Sequence, residues 1–325
     1  METLTARHVP SSLDPLETSV SEAPLPCSYQ REFNDASGIA FRHSGWHARR
    51  MRTFQALYEA NVSAGVLDRF ADCGAAAWLV RSRDLPVRYR IVCNRCRNRW
   101  CLPCQQDRAC QLRKRITPHL PLEETRFITL TLRSVPGALS DQLDRLYACF
   151  RKLRNTPLWR THVQGGVAFL ELTLNEATEQ WHPHLHVLAR GSYLRQRDLS
   201  DAWHRITGDS FIVDIRRPRD LHDTLRYLTT YVTKSLPNSV THHRERFIEA
   251  ILALRSRRFL IGFGCLAHLP DDPPDDDPTL WDSVCPISQL LTGAKDGNEW
   301  CLAVLAQLQG KRSCQHPTGP SPPNE

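Results

Sequence analysis

Two consecutive segments of this chain, FLELTLN (169–175) and HPHLHVLA (182–189), alternate apolar and polar residues with a period of two. Successive side chains of a strand point to opposite faces. Leu170, Leu172 and Leu174 therefore share one side of the first strand, with Glu171 and Thr173 on the other. In the second, Leu185 and Val187 oppose His182, His184 and His186. A hairpin whose loop centres near Thr178 and Glu179 sets Glu171 across from His186 and Thr173 across from His184. Both apolar faces then coincide, and so do both polar faces. A one-residue slip would destroy that match.

The neighbouring segments fit an antiparallel sheet covered by helices. FITLTL (127–132), FIVDIR (211–216) and RRFLIGFG (257–264) read as further strands. LSDQLDRLYACFRKL (139–153) is an amphipathic helix carrying Leu139, Leu143, Leu146 and Phe150 on one side. LRQRDLSDAWHRIT, DLHDTLRYLTTYVTKSL and ERFIEAILAL read as helices as well. The expected class is α+β, an antiparallel sheet with packed helices. We expect residues 1–45 to be a disordered leader, 46–115 a helical segment with a basic cysteine module, and 116–268 the α+β domain. Residues 269–325 read as an acidic Pro-rich linker and a largely disordered tail, with a short apolar piece at Ile287–Leu291 and a helix near Trp300–Leu308. Arg49 to Leu79 has a helical pattern throughout, with Phe54, Leu57, Tyr58 and Val62 in phase.

Charge is unevenly distributed. The formal net charge is +7, but 81–115 holds ten arginines against only Asp84 and Asp107 as acids, while acids crowd into DDPPDDDP. That is the footprint of a surface meeting a polyanion, and Arg95, Arg97, Arg99 and Arg108 are the candidate DNA contacts. The N-terminal residues lack a signal-peptide pattern and no apolar run approaches the roughly 18 residues of a membrane span. The expected location is cytoplasmic, without a membrane partner, where clustered thiols bind metal rather than each other. The chain has twelve cysteines. CNRCRNRWCLPC places Cys93, Cys96, Cys101 and Cys104 in two C-x-x-C pairs, enough to complete a tetrahedral structural Zn²⁺ site. The four-residue gap between the pairs is tight, so Cys73 or Cys110 is an alternative for one ligand.

On the polar face of the hairpin, Glu171, His184 and His186 form an open N/N/O set suited to a divalent ion. The competing readings are solvated strand histidines, or His182 completing the set in place of Glu171. In the helix DLHDTLRYLTTYVTKSL, Leu221, Leu225, Leu228, Val232 and Leu236 form a stripe, and Tyr227, Tyr231 and Lys234 group on a neighbouring face. Tyrosines beside such a stripe are ordinary packing residues, but a phenol near a cation is also a covalent nucleophile.

These motifs together resemble a known family. HPHLHVL is similar to the histidine-hydrophobic-histidine motif of HUH endonucleases, YVTK to their tyrosine motif and FITLTL to their first strand motif. CNRCRNRWCLPC resembles the CP-x-C region of rolling-circle plasmid replication proteins, although Leu102 separates the cysteine from the proline. RRFLIGFG resembles their R-x-I-x-x-G ending. The resemblance spans about 90–265, and it implies an RRM-like α+β core preceded by the helical, zinc-binding segment. It implies a rolling-circle initiator in which His184, His186 and Glu171 hold Mg²⁺ or Mn²⁺, with His182 supporting them from outside the ligand set. Tyr231 would attack a single-stranded or hairpin origin, leaving a 5′-phosphotyrosine and a 3′-OH primer. The doubled YLTTYVTK resembles two-tyrosine phage initiators, so Tyr227 is a candidate second nucleophile. Many plasmid relatives carry glutamate at that position. A host helicase and polymerase are implied partners. A two-tyrosine rolling-circle transposase would use the same parts, and a non-enzymatic zinc repressor would need only the basic segment.

Overall fold

In the computed structural model the described residues are 36–175, 177–233, 238–268 and 278–312, all within one compact unit, Phe33–Glu325. At its centre are β3 (Thr125–Thr131), β4 (Val163–Asn175), β5 (Gln180–Gly191), β6 (Val213–Arg216) and β7 (Leu260–Gly264). They form one sheet in the order β6-β3-β5-β4-β7, with every neighbouring pair antiparallel. This is the expected α+β class.

The sheet is covered differently on its two faces. Ile128, Leu130, Leu170, Leu185 and Val187 point to one face and are buried. Here α5 (Leu139–Arg154) packs against β5, and α7 (Gln196–Thr207) packs against α5. The α5 stripe of Leu139, Leu143, Leu146 and Phe150 is buried as its spacing predicts, and Trp203 of α7 donates its indole N–H to the Thr131 carbonyl at 2.9 Å. On the other face only one end is apolar. Val167, Phe169 and Leu188 pack there with Leu112 and Ile116 of α4 (Leu102–Ile116) and Leu225 and Leu228 of α8 (Leu221–Thr233). Towards the β4–β5 turn that face changes to Glu171, Thr173, His182 and His184, which no longer belong to the apolar cluster. The polar half of this face is only a little more open: the side chains of Glu171, His184 and His186 are 17%, 12% and 8% exposed.

Helices α1 (Ala36–Arg42), α2 (His47–Glu59) and α3 (Ala64–Ala71) precede a second sheet of β1 (Trp78–Ser82) and β2 (Tyr89–Val92). Three expectations are corrected here. The helical pattern from Arg49 to Leu79 breaks after α3, and WLVRS is a strand: a β-rich sequence whose Leu79 and Val80 are buried together. Helix α1 begins inside the expected leader. Residues 281–312 hold more than the helix expected near Trp300–Leu308 and are not a disordered tail: β8 (Trp281–Pro286) pairs antiparallel with β1. The following α11 (Ile287–Lys295) and α12 (Glu299–Arg312) bury Ile287, Leu290, Val304 and Leu308 against Ala77 and Leu79. A strand with two buried neighbours needs partners on both edges, and the late segment supplies the second. The acidic run at 269–277 and residues 313–325 lie outside the described residues. The expected boundary at 115/116 falls within the last turn of α4, which joins the cysteine segment to the large sheet. The chain between α5 and β4 forms α6 (Pro157–His162), and α9 (Asn238–His242) and α10 (Arg244–Ala253) lie between α8 and β7.

Candidate functional site

The β4–β5 register decides which side chains meet. Asn175 pairs with Gln180, Thr173 with His182, Glu171 with His184 and Phe169 with His186. The expected pairing of Glu171 with His186 is therefore off by two residues. The turn is tighter than the sequence reading assumes. Asn175 Oδ1 accepts from the backbone N–H groups of Ala177 and Thr178, and Glu179 takes a left-handed φ of 51°, which closes the hairpin early. A shift of two preserves the face of every side chain, so the polar set survives.

Glu171 is held between the two histidines. Its Oε2 is 2.6 Å from His186 Nε2 and also contacts His184 Nε2. Burial opposes ionisation of Glu171, but hydrogen bonds from His184 and His186 outweigh it and bring the carboxyl down to about 2. Burial, with His184 nearby, lowers His186 and favours its neutral ring. The second nitrogens are fixed as well. His184 Nδ1 lies 3.2 Å from the His182 carbonyl, which can only accept, so Nδ1 carries the proton. A cation taking the place of the Nε2 proton would be held between that nitrogen and the carboxylate. His186 Nδ1 meets the Thr129 hydroxyl at 3.1 Å, and its ring stacks on Phe127 with 5.4 Å between centroids. Glu171, His184 and His186 thus offer three donor atoms within 4.8 Å of one another. His182 is outside this group; its ring hydrogen-bonds the Leu132 backbone.

Helix α8 borders the same polar face. Tyr227 is half-exposed, with its ring centroid 6.5 Å from that of His186. Tyr231 follows one turn later in α8; its side chain, and Lys234 altogether, lie outside the described residues.

The cysteine cluster differs from its expected membership. The sulfurs brought together are those of Cys73, Cys96, Cys101 and Cys104. Cys73 Sγ is 3.6 Å from both Cys101 Sγ and Cys104 Sγ, and Cys96 Sγ is 3.7 Å from Cys104 Sγ. Four thiolates about 2.3 Å from a tetrahedral Zn²⁺ would stand about 3.8 Å apart, so the spacing fits that ion. Cys93 is excluded because it ends β2 and packs against the Leu79–Ile287 cluster, and Cys110 Sγ instead accepts from Arg113. Cys73 is delivered by a backbone pair, Gly74 N–H to Asn94 O and Asn94 N–H to Ala75 O, each 2.9 Å. Gly74 sits at φ +101°, where a Cβ would stand 3.0 Å from Ile39 Cα. Arg42 of α1 donates to Cys73 Sγ, to Cys104 Sγ and to Asp107. With four sulfurs packed this closely the thiols cannot all ionise alike. Hydrogen bonds from Cys101, Cys104 and Cys96 lower Cys73, whereas hydrogen bonding to Cys104 and Cys73 raises Cys101.

Of the candidate DNA-contacting arginines, Arg95, Arg97 and Arg108 are exposed. Arg99 is not available in that way: it donates to the carbonyls of Leu254 and Arg257 and lies 5.2 Å over Phe259. It ties the cysteine segment to the large sheet. Thr129, Phe127 and Arg42 are the site residues that the sequence reading does not name, whereas Cys73 is the alternative ligand it offers. Phe127 and Thr129 shared one signal, the alternation of FITLTL.

A family model described as Replication protein matches residues 90–285, well over half of the chain. The chain belongs to the replication protein family. It is 26% identical to Protein rep of Staphylococcus aureus over 185 residues, covering 52% of this chain and 80% of that one. It is 36% identical over 101 residues to Protein rep of Bacillus amyloliquefaciens, covering 28% of this chain and 30% of that one. A third Protein rep, from Streptococcus pneumoniae, is 23% identical over 205 residues, covering 56% of this chain and 63% of that protein. The last two matches therefore span less than two thirds of those relatives. No solved structure matches. The replication-protein match encloses Glu171, His184, His186, Tyr227, Tyr231 and three of the four clustered cysteines, while Cys73 precedes it. Among the described residues of this replication protein, no helix is long and apolar enough to cross a membrane.

Proposed function

We propose that this replication protein initiates rolling-circle synthesis by nicking one DNA strand at an origin, single-stranded or extruded as a hairpin. The observation carrying this reading is Glu171 Oε2 set against Nε2 of both His184 and His186, on the polar half-face of a sheet bordered by the tyrosine helix. A Mg²⁺ or Mn²⁺ ion held there by Glu171, His184 and His186 supplies the positive charge that polarises a phosphate oxygen. The His182 carbonyl holds His184 in the ligand tautomer, and the Thr129 hydroxyl holds the orientation of the His186 ring. The Tyr231 phenolic oxygen forms a bond to phosphorus as the bond from phosphorus to the 3′-oxygen breaks. The phenolic proton is lost and the leaving 3′-oxygen gains one, giving a 5′-phosphotyrosine and a 3′-OH primer. Lys234, placed by the motif one turn from Tyr231, would favour the phenolate. Tyr227 is assigned the second transfer, which ends a round.

Cys73, Cys96, Cys101 and Cys104 would hold structural Zn²⁺, and Arg95, Arg97 and Arg108 would grip origin phosphates. Host helicase and polymerase complete the proposed set of partners, and the setting is cytoplasmic. The grouping of Glu171 with both histidines has no role in a zinc repressor, which favours the enzyme.

The test is incubation with Mn²⁺ and end-labelled single strands from the protein's own replicon. Wild type should form a covalent adduct and a 3′-OH product. Tyr231→Phe should form no adduct yet bind DNA, and Tyr227→Phe should nick but not terminate. An adduct mapped to Tyr227 alone would reverse the two assignments, and absence of any metal-dependent nicking would refute the reading.

A further inference from the structure

At the end of β4 far from Glu171, the last turns of α5, the short α6 and the β4–β7 edge enclose a surface cleft of about 340 Å³. Arg151, Arg154 and Arg160 line it together with Asn155 and Gln164. Among the described residues, no Asp or Glu lines it and no ion pair holds any of these arginines. Trp159 is buried beneath, 6.0 Å from Phe263 between ring centroids. The Arg154 guanidinium lies 5.0 Å from the Phe150 centroid and 5.4 Å from that of Phe263, and its Nε is buried without a hydrogen-bond partner. Asn155 Oδ1 accepts from Arg160 at 3.0 Å, holding that guanidinium at the rim. Burial and the charge of Arg151 depress Arg154, the direction expected where cations are gathered without a counter-ion. Several arginines elsewhere are neutralised, as Arg145 is by Asp209, Arg257 by Asp144 and Arg244 by Glu59.

We infer that this cleft binds backbone phosphates of the DNA strand flanking the nick, as a second anchor remote from the histidine site. The inference rests on the proposed nicking function. Three fixed cations without a carboxylate suit a polyanion, and guanidinium pairs with phosphate through two parallel hydrogen bonds. Exposed Asn155 and Gln164 add neutral donors of the kind that position a phosphodiester without reading its sequence. Gln164 and Glu171 are seven residues apart in β4, roughly 23 Å at about 3.3 Å per residue. The cleft lies on the α5 side of the β4–β7 edge and Glu171 on the opposite face, so a strand stacked at about 3.4 Å per nucleotide needs at least roughly seven nucleotides to round that edge. The second anchor would hold the flanking DNA in place while the tyrosine step proceeds.

The experiment compares labelled single strands from the protein's replicon whose arms beyond the nick, on either side, are 3 or 15 nucleotides long. Wild type should bind the long-armed strand more tightly. Arg151→Ala/Arg160→Ala, which changes two exposed side chains, should lose that gain and lower the log–log salt slope by about 1.4, at about 0.7 per phosphate on single strands. Nicking of the short-armed strand should be unchanged in the double variant. Equal affinity and salt slope for wild type and variant on the long strand would overturn the inference. So would a variant-sensitive site for inorganic phosphate with no effect of arm length, since the cleft would then take a small anion. Failure of wild type to nick either strand, with the arm effect intact, would instead count against the nicking function alone.

Discussion

Arg113 on α4 donates to the hydroxyl of Thr229 on α8 at 2.9 Å, on the helical turn that separates Tyr227 from Tyr231. Thr229 is fully buried and also donates back to the Leu225 carbonyl. The helix that starts at Cys101 and Cys104 therefore braces the helix that presents the tyrosines. Arg113→Ala should leave metal binding unaltered and slow single-turnover nicking about tenfold, since small misplacements of a nucleophile are costly. Unchanged nicking would mean that packing of Leu112 and Ile116 alone positions α8.

The Thr129 hydroxyl holds the His186 ring through Nδ1. Thr129→Val keeps the strand but removes the hydroxyl, and should weaken Mn²⁺ affinity by 10- to 100-fold, as for other groups that orient a metal ligand. Glu171→Gln should be more severe, because it removes the charge that faces both Nε2 atoms. Titration calorimetry with Mn²⁺ orders the two. A Glu171→Gln protein binding Mn²⁺ as tightly as wild type would pass the third ligand position to His182.

The zinc assignment separates by cysteine. Cys73→Ser should lose zinc by elemental analysis and unfold at lower temperature, because a structural metal contributes directly to folding. Cys93→Ser should keep its zinc. The opposite result would restore the two adjacent C-x-x-C pairs as the ligand set.

Glu249 ties α10 to two other elements: it accepts from Leu139 N–H at 2.9 Å, from the Trp181 indole at 2.8 Å and from Arg246. Burial opposes its ionisation, but those hydrogen bonds win and its pKa falls below the ordinary carboxylate value. A carboxyl depressed in the folded state contributes stability above its unfolded pKa of about 4.3, and that contribution disappears as pH falls through the lower folded value. Glu249→Gln should cost about 1–2 kcal/mol at pH 7, discounted for partial exposure. The gap from wild type should begin to narrow below about pH 4 and close only below the lower folded value. Urea melts at pH 7 and pH 3.5 test both; a constant gap would show that shape, not charge, is what Trp181 and Leu139 need.

The large sheet was legible because its strands alternate and its helices carry clean stripes: α5 appears within a residue of its predicted range. The face shared by Glu171, His184 and His186 was legible for the same reason, since period-two patterning fixes the face even where the pairing is misjudged by two. The register itself depended on the Asn175 turn and on a left-handed Glu179, neither of which has a hydrophobic signature. Cys73 was legible only as an alternative to a member of the two C-x-x-C pairs: the tight gap between them called for a replacement, but the Gly74–Asn94 backbone pair that brings Cys73 to the cluster is encoded by no local spacing. Likewise, β8 could not be read from WDSVCP alone, because a strand that completes another element's edge is defined by that element. Arg99 misled in the other direction, as an arginine in a basic run whose guanidinium is committed to backbone carbonyls.

The pairing of β8 with β1 has a temporal consequence. About two hundred residues of synthesis separate Ser82 from Trp281, so at a typical 5–20 residues per second β1 waits roughly 10–40 s on the ribosome for its second neighbour. During that interval its outer edge offers unpaired N–H and C=O groups to any passing strand. A truncation after Gly264 would preserve every strand of the five-stranded sheet and make that transient edge permanent. Such a fragment should aggregate through β1 rather than through the sheet that carries the histidines.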